Sequence, residues 1–436
     1  MEQEIRKLLG RALGQEKPDL EALEMAIRDS VHQIGCRLLE KVLNGDQGGY
    51  RGPRLECGPG QEARFLGYRD KEVVTVVGPV TVERAYYYCA ESQQGSIPKD
   101  EALDIVGTHF SPGVRRMMGR VGSKESFDEG RQDLEELAGI RVTAKQVERV
   151  AEQIGEQVEA TRQQEPAAIV SEKVIALKRI PKLYIAYDGT GVPVVPRETE
   201  GRLGKGSQRA KTREAKLGCV FTQTRVNEKG HPVRDEGSTS YVGAIETAEA
   251  FGRRIYSEAH RRGLYQAQLV VVLGDGAVWI WKIADEHFPE AIQIVDLYHA
   301  RQHLAELAKL VYGPTHPKRE SWSQARYEEL DDAQVEKVIG AILKLKSSDP
   351  KIQQHIDRER NYFQTNAERM RYADFRCRGL FVGSGVVEAG CKTIIGLRLK
   401  QSGMQWTVRG ANAIIALRCL NLSGQWEQFW ENRATG

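Results

Sequence analysis

The sequence predicts an α/β fold built on a mixed β-sheet, in which antiparallel strands are followed by parallel strands. Three strand-like runs, at 183–187, 216–226 and 240–245, are separated by turns rather than by helices. Two further apolar runs, at 269–273 and 292–295, each follow a helix-patterned segment. Three hairpin-connected strands followed by alternating helices and strands fit an RNase H-like mixed sheet, in which the first and fourth strands are neighbours.

Length and composition limit the class of protein. The chain has 436 residues, of which 40% are hydrophobic and 28% charged, so we expect several globular units. No apolar run approaches the roughly 18 residues of a membrane span, and the first twenty residues are charged, so a cytoplasmic protein with no membrane partner is expected. Seven cysteines without a secretory signal indicate reduced thiols.

A long amphipathic helix is predicted over residues 19–44, with Asp19 as its N-cap. Its apolar side chains recur every three or four residues, at Leu20, Leu23, Ile27, Val31, Ile34, Leu38 and Val42. This spacing is helical, and Gly45 follows the last apolar position as a natural end.

The rest of the N-terminal part predicts a hairpin and a pair of helices. Two β-rich runs flank Gly78 and Pro79, which predicts a β-hairpin. Helical periodicity returns over residues 123–165, with a break at Gly139 and Thr143 placed to cap the second helix. The pair resembles a helix-turn-helix, although any helical hairpin has these features.

Two aspartates follow apolar strands of the predicted sheet. Asp188 follows the first strand and Asp275 follows the fourth, so their carboxylates are expected a few ångströms apart at one edge of the sheet. Carboxylates held that close repel each other, and divalent cations neutralise the repulsion. The alternative is that Asp-Gly after a strand simply makes a good turn.

A third acid, Glu388, falls in the first turn of a predicted helix that Ser384 is placed to cap. Lys392 lies one turn later on the same face and is a candidate supporting residue, although the two residues can also be an ordinary surface pair. Three carboxylates that hold two Mg²⁺ or Mn²⁺ ions are what a two-metal phosphodiester displacement requires.

Two basic stretches predict contacts with DNA phosphates, although solvated surface is the alternative. Residues 202–216 hold six bases against one acid, and residues 376–409 hold six bases against Glu388 alone. Trp406 is a candidate for stacking on an unpaired base or for a core position. The basic candidates are Lys205, Arg209, Lys211, Arg213, Arg398 and Lys400.

Several motifs together resemble a known family. They are YDGTGVPVVPRETEGR around Asp188, KTREAKLGCVFTQT, GDGAVWIW around Asp275, DLYHARQHL, and FVGSGVVEAGCKTIIGLRLKQSGMQW around Glu388. As a set they resemble the ISKra-type insertion-sequence DDE transposases, which are similar to the Mutator-like group. The resemblance implies that Asp188, Asp275 and Glu388 are the catalytic triad of an RNase H-like domain with an all-helical insertion.

The resemblance also implies supporting residues. Asp296 and His299 match a DxxH element that follows the second aspartate in the Mutator-like group, where an acid and a histidine can orient DNA or water beside the metals. His299 and His303 are spaced like zinc ligands, but the sequence offers no obvious third ligand.

Relatives carry a pair of CxxC knuckles beside the hairpin, of which this sequence keeps only Cys57 and Cys89. Two thiolates cannot complete a structural zinc site, so no zinc is expected. No GxxxxGK[ST] motif is present, and no nucleotide cofactor is expected.

The implied function is a bacterial transposase that binds the terminal inverted repeats of a mobile element, works at the nucleoid, cleaves phosphodiester bonds and joins the 3′-OH ends to target DNA. Its partners are double-stranded DNA, at both element ends and target, and further copies of the chain in a homodimer or larger oligomer. An inactive former transposase kept as a DNA-binding regulator and a stand-alone RNase H-like nuclease are the alternatives.

These patterns predict six segments along the chain. They are an N-terminal helical arm (1–48), a degenerate zinc-ribbon-like hairpin region (49–107), a helix-turn-helix-like DNA-binding domain (108–170), the first part of the catalytic core (180–299), the helical insertion (300–375) and the last part of the core with the Glu388 helix (376–436).

Overall fold

The computed structural model describes residues 19–58, 61–164, 179–204 and 208–433. The chain divides into two compact units, Met1–Ala151 and Glu152–Gly436. The division falls within the segment predicted to bind DNA, and the finer six-segment organisation stays a prediction. The first unit holds α1 (Leu20–Leu43), β1 (Arg54–Gly58), β2 (Gln61–Thr75), β3 (Gly78–Cys89), β4 (Gln94–Ser96), α2 (Pro98–Ala102), α3 (Pro112–Lys124), α4 (Phe127–Ala138) and the start of α5 (Ala144–Gln164).

Helix α1 confirms the predicted long helix and its cap. The Asp19 side chain accepts a hydrogen bond from the Ala22 N–H, 3.3 Å away, which satisfies one free donor of the first turn. An amphipathic helix normally buries its apolar stripe, yet α1 contains no buried residue.

Strands β1 to β4 form one antiparallel sheet in chain order. The predicted hairpin is confirmed, but its turn lies at Val76 and Val77, because Gly78 is already paired with Thr75. Gly78 has φ +122°, a conformation that favours glycine over residues with a side chain.

The half-retained zinc knuckle lies beside this hairpin. The Cys57 thiol donates to the Cys89 sulfur, and this bond raises the pKa of Cys57 to about 11. Bonds from Cys57 and Ser92 lower the pKa of Cys89. The two sulfurs are therefore already partnered by protein groups, and the absence of zinc stays a prediction.

The two predicted helices are confirmed as α4 and the start of α5. Ser126 and Glu129 form a reciprocal capping box at the start of α4, and Gly139 ends the helix in the left-handed conformation. Thr143 Oγ1 accepts from the Gln146 N–H at 3.2 Å, as expected of a cap. These contacts establish two capped helices, and DNA recognition by them stays a prediction.

The second unit is built on a five-stranded mixed sheet in the order β11-β10-β5-β6-β9. Strands β5, β6 and β9 are antiparallel neighbours, while β10 pairs in parallel with both β5 and β11. The predicted mixed sheet, with its first and fourth strands side by side, is confirmed. Its strands, with the small β7–β8 hairpin, are β5 (Lys182–Pro193), β6 (Thr212–Gln223), β7 (Arg225–Val226), β8 (Pro232–Val233), β9 (Ser240–Ala244), β10 (Val270–Gly274) and β11 (Ile292–Val295).

Helices cover this sheet and share its core. Residues 297–377 are helical apart from the turns between helices, in agreement with a helical segment between Asp275 and Glu388. Leu330, Val338 and Phe363 of this segment belong to the same buried cluster as the central strands. The helices are α6 (Ala248–Arg261), α7 (Val278–His287), α8 (Leu297–Tyr312), α9 (Pro317–Asp331), α10 (Val335–Leu343), α11 (Pro350–Thr365), α12 (Tyr372–Cys377), α13 (Gly385–Gly390), α14 (Leu397–Leu399), α15 (Val408–Leu422) and α16 (Trp426–Arg433).

A π-helical turn, Cys391–Gly396, joins α13 to α14 directly after Glu388. Such turns are rare and often occur at functional sites. None of the helices in the described parts of the chain is both long and apolar enough to cross a membrane.

Candidate active site

Two neighbouring parallel strands place Asp188 and Asp275 side by side. The β5–β10 ladder pairs Ala186 with Leu273, and each aspartate stands two residues further along its own chain. The apolar run of β5 ends at Asp188 as predicted, but the strand does not. It continues to Pro193 because β6 pairs with it throughout, with Asp188 opposite Leu217.

The surroundings of Asp188 disfavour the charged form of its carboxyl group. Burial raises its pKa, and the negative charges of Asp275 and Glu388 raise it further. Hydrogen bonds from the Gly189 N–H, 2.6 Å from Oδ1, and from the Cys391 thiol act in the opposite direction without cancelling the shift. The structure therefore brings the three acids of the predicted triad within electrostatic range of one another.

Glu388 is positioned by a buried carboxylate rather than by the predicted Ser384 cap. Asp296 is only 1% exposed, and it accepts bonds from the Ser384 N–H and from the Ser384 hydroxyl, the latter at 2.7 Å. Ser384 Oγ lies 3.4 Å from Glu388 Oε1, and it makes no capping bond to the helix backbone. The prediction of a serine cap was wrong because the hydroxyl is engaged by Asp296.

Asp296 also anchors the strand that it follows. Its Oδ1 accepts from the His299 N–H at 2.7 Å and so caps α8. Its own N–H donates to the Gly274 carbonyl, directly before Asp275, at 2.8 Å. Asp296 thus links the segments that carry Asp275 and Glu388, which is a supporting role through position.

A series of side-chain contacts that the sequence did not predict lies behind Asp275. His303 Nδ1 is 2.5 Å from Glu359 Oε2, and His303 Nε2 is 3.1 Å from His299 Nε2. The His303 ring stacks on Tyr362 at a centroid distance of 4.2 Å, and the Tyr362 hydroxyl donates to the Asp275 carbonyl at 2.8 Å. Helix α11 is therefore tied to the aspartate that follows β10.

The predicted basic residues do not share one environment. Arg209 and Lys211 are exposed and Arg213 is half-buried, with the Arg209 and Arg213 guanidinium groups donating to backbone carbonyls of Pro196 and Glu198. Lys205 lies outside the described residues. Lys392 is exposed, and its support of Glu388 stays a prediction.

Lys400 reaches the site from the end of α14. Its Nζ donates to the hydroxyl of Thr190, two residues beyond Asp188. The lysine is exposed, so its charge is accessible beside the carboxylates.

The structure corrects two predicted DNA contacts. Arg398 is fully buried and Trp406 is 6% exposed, with the guanidinium carbon 5.0 Å from the indole ring centroid. The Trp406 indole N–H donates to the Leu399 carbonyl, and its backbone N–H donates to the carbonyl of Pro193, the last residue of β5. Both side chains are part of the core, and neither is available to DNA in this conformation.

The chemistry of the three carboxylates fits a hard divalent cation, although the three side chains are not closely grouped. Within the described ranges, no three His, Cys, Asp or Glu side chains are arranged closely enough to hold a metal ion as they stand. The three acids offer only carboxylate oxygens, which are the ligands that Mg²⁺ and Mn²⁺ prefer. Burial raises the pKa of Asp188, and the charges of Asp275 and Glu388 raise it further, as expected where carboxylates are held near one another away from water.

Comparisons with known proteins give a family match without an assigned activity. Residues 240–433 match the uncharacterised protein family UPF0236, a span that contains Asp275 and Glu388 and begins after Asp188. A UPF0236 protein of Caldanaerobacter subterraneus subsp. tengcongensis is 22% identical over 361 residues, which cover 81% of this chain and 68% of that protein.

Among solved structures, the chain matches the Drosophila P element transposase strand transfer complex. The match covers 77% of this chain and 84% of that chain at 9% sequence identity, with a TM-score of 0.25. A TM-score this low supports no conclusion about the fold or the function of this chain.

The raised pKa of Asp188 predicts that the stability of the protein depends on pH. A carboxyl whose pKa is raised by folding binds its proton more tightly in the folded state, so the metal-free protein loses stability as pH rises from the ordinary value of 3.8 through the raised one. Asp188→Asn removes the charge and keeps an acceptor for the Gly189 N–H. We expect its melting temperature at pH 7, without metal, to exceed that of the wild type by roughly 1–4 °C.

Below pH 3.8 the two proteins should converge, because the carboxyl is then protonated in both folded and unfolded states. Asp374→Asn, at a carboxylate of α12 outside the site, is the matched control and should melt like the wild type. A lower melting temperature for Asp188→Asn at pH 7 would show that Asp188 is a stabilising structural acid.

Proposed function

We propose that this protein is a DDE transposase, a metal-dependent nuclease and strand transferase that acts on DNA. The observation that carries the proposal is the juxtaposition of Asp188 and Asp275, from adjacent parallel strands, with Glu388 from a helix packed on the same sheet. The negative charges of Asp275 and Glu388 disfavour the charged form of Asp188, and a divalent cation bound among the three carboxylates would offset that repulsion.

The sheet topology supports an RNase H-like fold for this part of the chain. In chain order, β5, β6 and β9 form an antiparallel meander, and β10 and β11 then add in parallel on the other side of β5. The two aspartates lie on or directly after the first and fourth of these strands. The helical segment between Asp275 and Glu388 supports the presence of the insertion that the family resemblance implies.

Asp188, Asp275 and Glu388 would hold the Mg²⁺ or Mn²⁺ ions, which supply activation of the attacking oxygen and stabilisation of the leaving oxygen. Asp296 keeps the Glu388 segment against β11 through Ser384, while Tyr362 fixes the backbone at Asp275. Lys400, beside Thr190, is placed to balance the charge of a DNA phosphate at the carboxylates.

The reaction proceeds in two displacements at phosphorus. In the first, water attacks the phosphodiester at an end of the element, and the P–O bond to the 3′ oxygen breaks to leave a 3′-OH. In the second, that hydroxyl attacks a phosphodiester of target DNA, forming one P–O bond as another breaks. The joining step exchanges one P–O bond for another, so it needs neither a covalent protein–DNA intermediate nor a nucleotide cofactor.

The β5–β6 hairpin offers a path for the DNA backbone. Arg213 pairs with Val192, four residues beyond Asp188, and Lys211 and Arg209 follow at the hairpin's far end. Each residue of a strand advances the chain about 3.3 Å. The basic side chains therefore begin on the order of 13 Å from the carboxylates, within the reach of one bound duplex.

The test is cleavage of the DNA that flanks the protein's own coding sequence. The purified full chain is incubated with that DNA, and with an unrelated fragment of equal length, in Mg²⁺, Mn²⁺ or EDTA. We expect metal-dependent breaks with 3′-OH ends at fixed positions in the flanking DNA, followed by joined products. Specific binding without breaks would favour the regulator, and breaks in both fragments without joining would favour a stand-alone nuclease.

A further inference from the structure

Helix α1 displays an apolar stripe that nothing in the described chain covers. Five aliphatic side chains of the helix are between 55% and 68% exposed, namely Leu20, Ile27, Val31, Leu38 and Val42. Isolated exposed aliphatic residues are ordinary, but a continuous line of them along one helix is typical of a binding surface.

A second side of α1 is already docked on the sheet of its own unit. Cys36, Leu39 and Leu43 pack against the buried valines of β2 and β3, and the Cys36 thiol donates to the Val77 carbonyl at 2.9 Å. The stripe lies about a third of a turn round the helix from these residues, since each residue advances by about 100°. The helix thus has two apolar sides, one docked on its own sheet and one facing outward.

The spacing of the stripe suits a second helix. Leu20, Val31 and Val42 are separated by eleven residues each, and Ile27 and Leu38 repeat the same interval. An eleven-residue period is about 3.67 residues per turn, so the stripe stays on one face along the whole helix. At about 1.5 Å per residue it extends for roughly 33 Å, which is long enough for a stable helix pair.

We infer that α1 pairs with α1 of a second copy of this chain in an antiparallel arrangement. Residues 19–29 carry four acids and one base, whereas residues 30–43 carry two bases and one acid. Antiparallel pairing brings the acidic half of each helix alongside the basic half of its partner and also opposes the helix dipoles favourably. Centred on Val31, it places Leu20 opposite Val42 of the partner copy, as twofold symmetry requires.

This surface is independent of the proposed DNA chemistry, because α1 lies in the first unit and the carboxylates lie in the second. Its test is therefore the mass of the full chain in solution, measured by light scattering or analytical ultracentrifugation without DNA. We expect a dimer for the wild type. Val31→Glu places two like charges at the centre of the pair and is expected to raise the dimer dissociation constant at least 100-fold.

Val106→Glu is the matched control, because Val106 is 64% exposed in the same unit but outside α1. It should leave the dimer intact and keep the melting temperature of the wild type, while Val31→Glu should still unfold in one cooperative transition, as a folded monomer does. A monomeric wild type, or a dimer that Val31→Glu does not weaken, overturns the inference and leaves the stripe to another partner.

Helix direction has its own test. The double variant Leu20→Glu with Val42→Lys sets a glutamate opposite a lysine in an antiparallel pair, but sets like charges opposite each other in a parallel pair. We expect this double variant to remain dimeric, with weaker association as salt is added. A monomeric double variant beside a dimeric wild type overturns the antiparallel arrangement.

Discussion

Asp275→Asn is expected to lower metal-dependent DNA cleavage by several orders of magnitude, and Asp188→Asn and Glu388→Gln should do the same. Each substitution removes one of the three charged oxygen groups proposed to bind the metal ions, and two-metal displacement depends on all of them. The substitutions are nearly isosteric, and in Asp275→Asn the new amide oxygen can still accept the Ala277 N–H, which lies 2.9 Å from Asp275 Oδ1. The measurement is the initial rate of strand breakage in Mn²⁺.

DNA affinity and folding should survive in all three variants. In the proposed function, basic side chains away from the carboxylates bind the DNA, and removing any of the three charges relieves the repulsion at Asp188. Asp374→Asn should cleave at the wild-type rate. Cleavage that persisted in Asp275→Asn would show that the reaction takes place elsewhere on the chain.

Glu359→Gln is expected to destabilise the protein by about 2 kcal/mol at pH 7, because it leaves His303 without its charged partner inside the fold. Glu359 is 2% exposed. Burial alone would raise its pKa, but the bond with His303, the electrostatic effect of the His303 and His355 rings and a bond from Arg358 lower it overall. Its contribution is therefore present above the ordinary value of 4.5 and lost as pH falls through the lowered value.

Denaturant unfolding at two pH values measures this effect. The gap between wild type and Glu359→Gln should be largest at neutral pH and should shrink once the solution is acidic enough to protonate the wild-type carboxyl. Glu368→Gln, at an exposed partner of Arg371, is the control and should show no measurable change. A gap that did not depend on pH would mean that the charge of Glu359 is not what stabilises α11 against α8.

The sequence predicted those features that depend on neighbouring residues. Asp19 caps α1, Gly139 ends α4, and the apolar run before Asp275 forms a strand that ends at Gly274, because each is set by the local backbone and the pattern of apolar residues. The placement of the first and fourth strands side by side could be predicted too, since three hairpin-linked strands followed by helix-linked strands permit few topologies.

Features that depend on distant residues could not be predicted. Strand β5 continues past Asp188 because β6 supplies hydrogen-bond partners up to Thr212, which no pattern within β5 reveals. Glu359 and His303 meet across 56 residues of chain, and only the packing of α11 on α8 brings them together.

The sequence also failed to predict which charged residues are buried. Arg398 occurs in a basic stretch, and its guanidinium is nonetheless enclosed, because the backbone at Trp406 pairs with the end of β5 and folds the indole over it. Charge along a sequence indicates a DNA surface only where the tertiary structure leaves the side chains outside.

Mapping of the bound metal tests the central claim most directly. Fe²⁺ replaces Mg²⁺ at oxygen-ligand sites, and with ascorbate and peroxide it generates hydroxyl radicals that cut the polypeptide close to the ion. We expect cuts near Asp188, Asp275 and Glu388 together, suppressed by excess Mg²⁺ and lost in Asp188→Asn. Cuts confined to other segments, such as those around His303 and Glu359, or no localised cuts at all, would contradict a metal site formed by these three carboxylates.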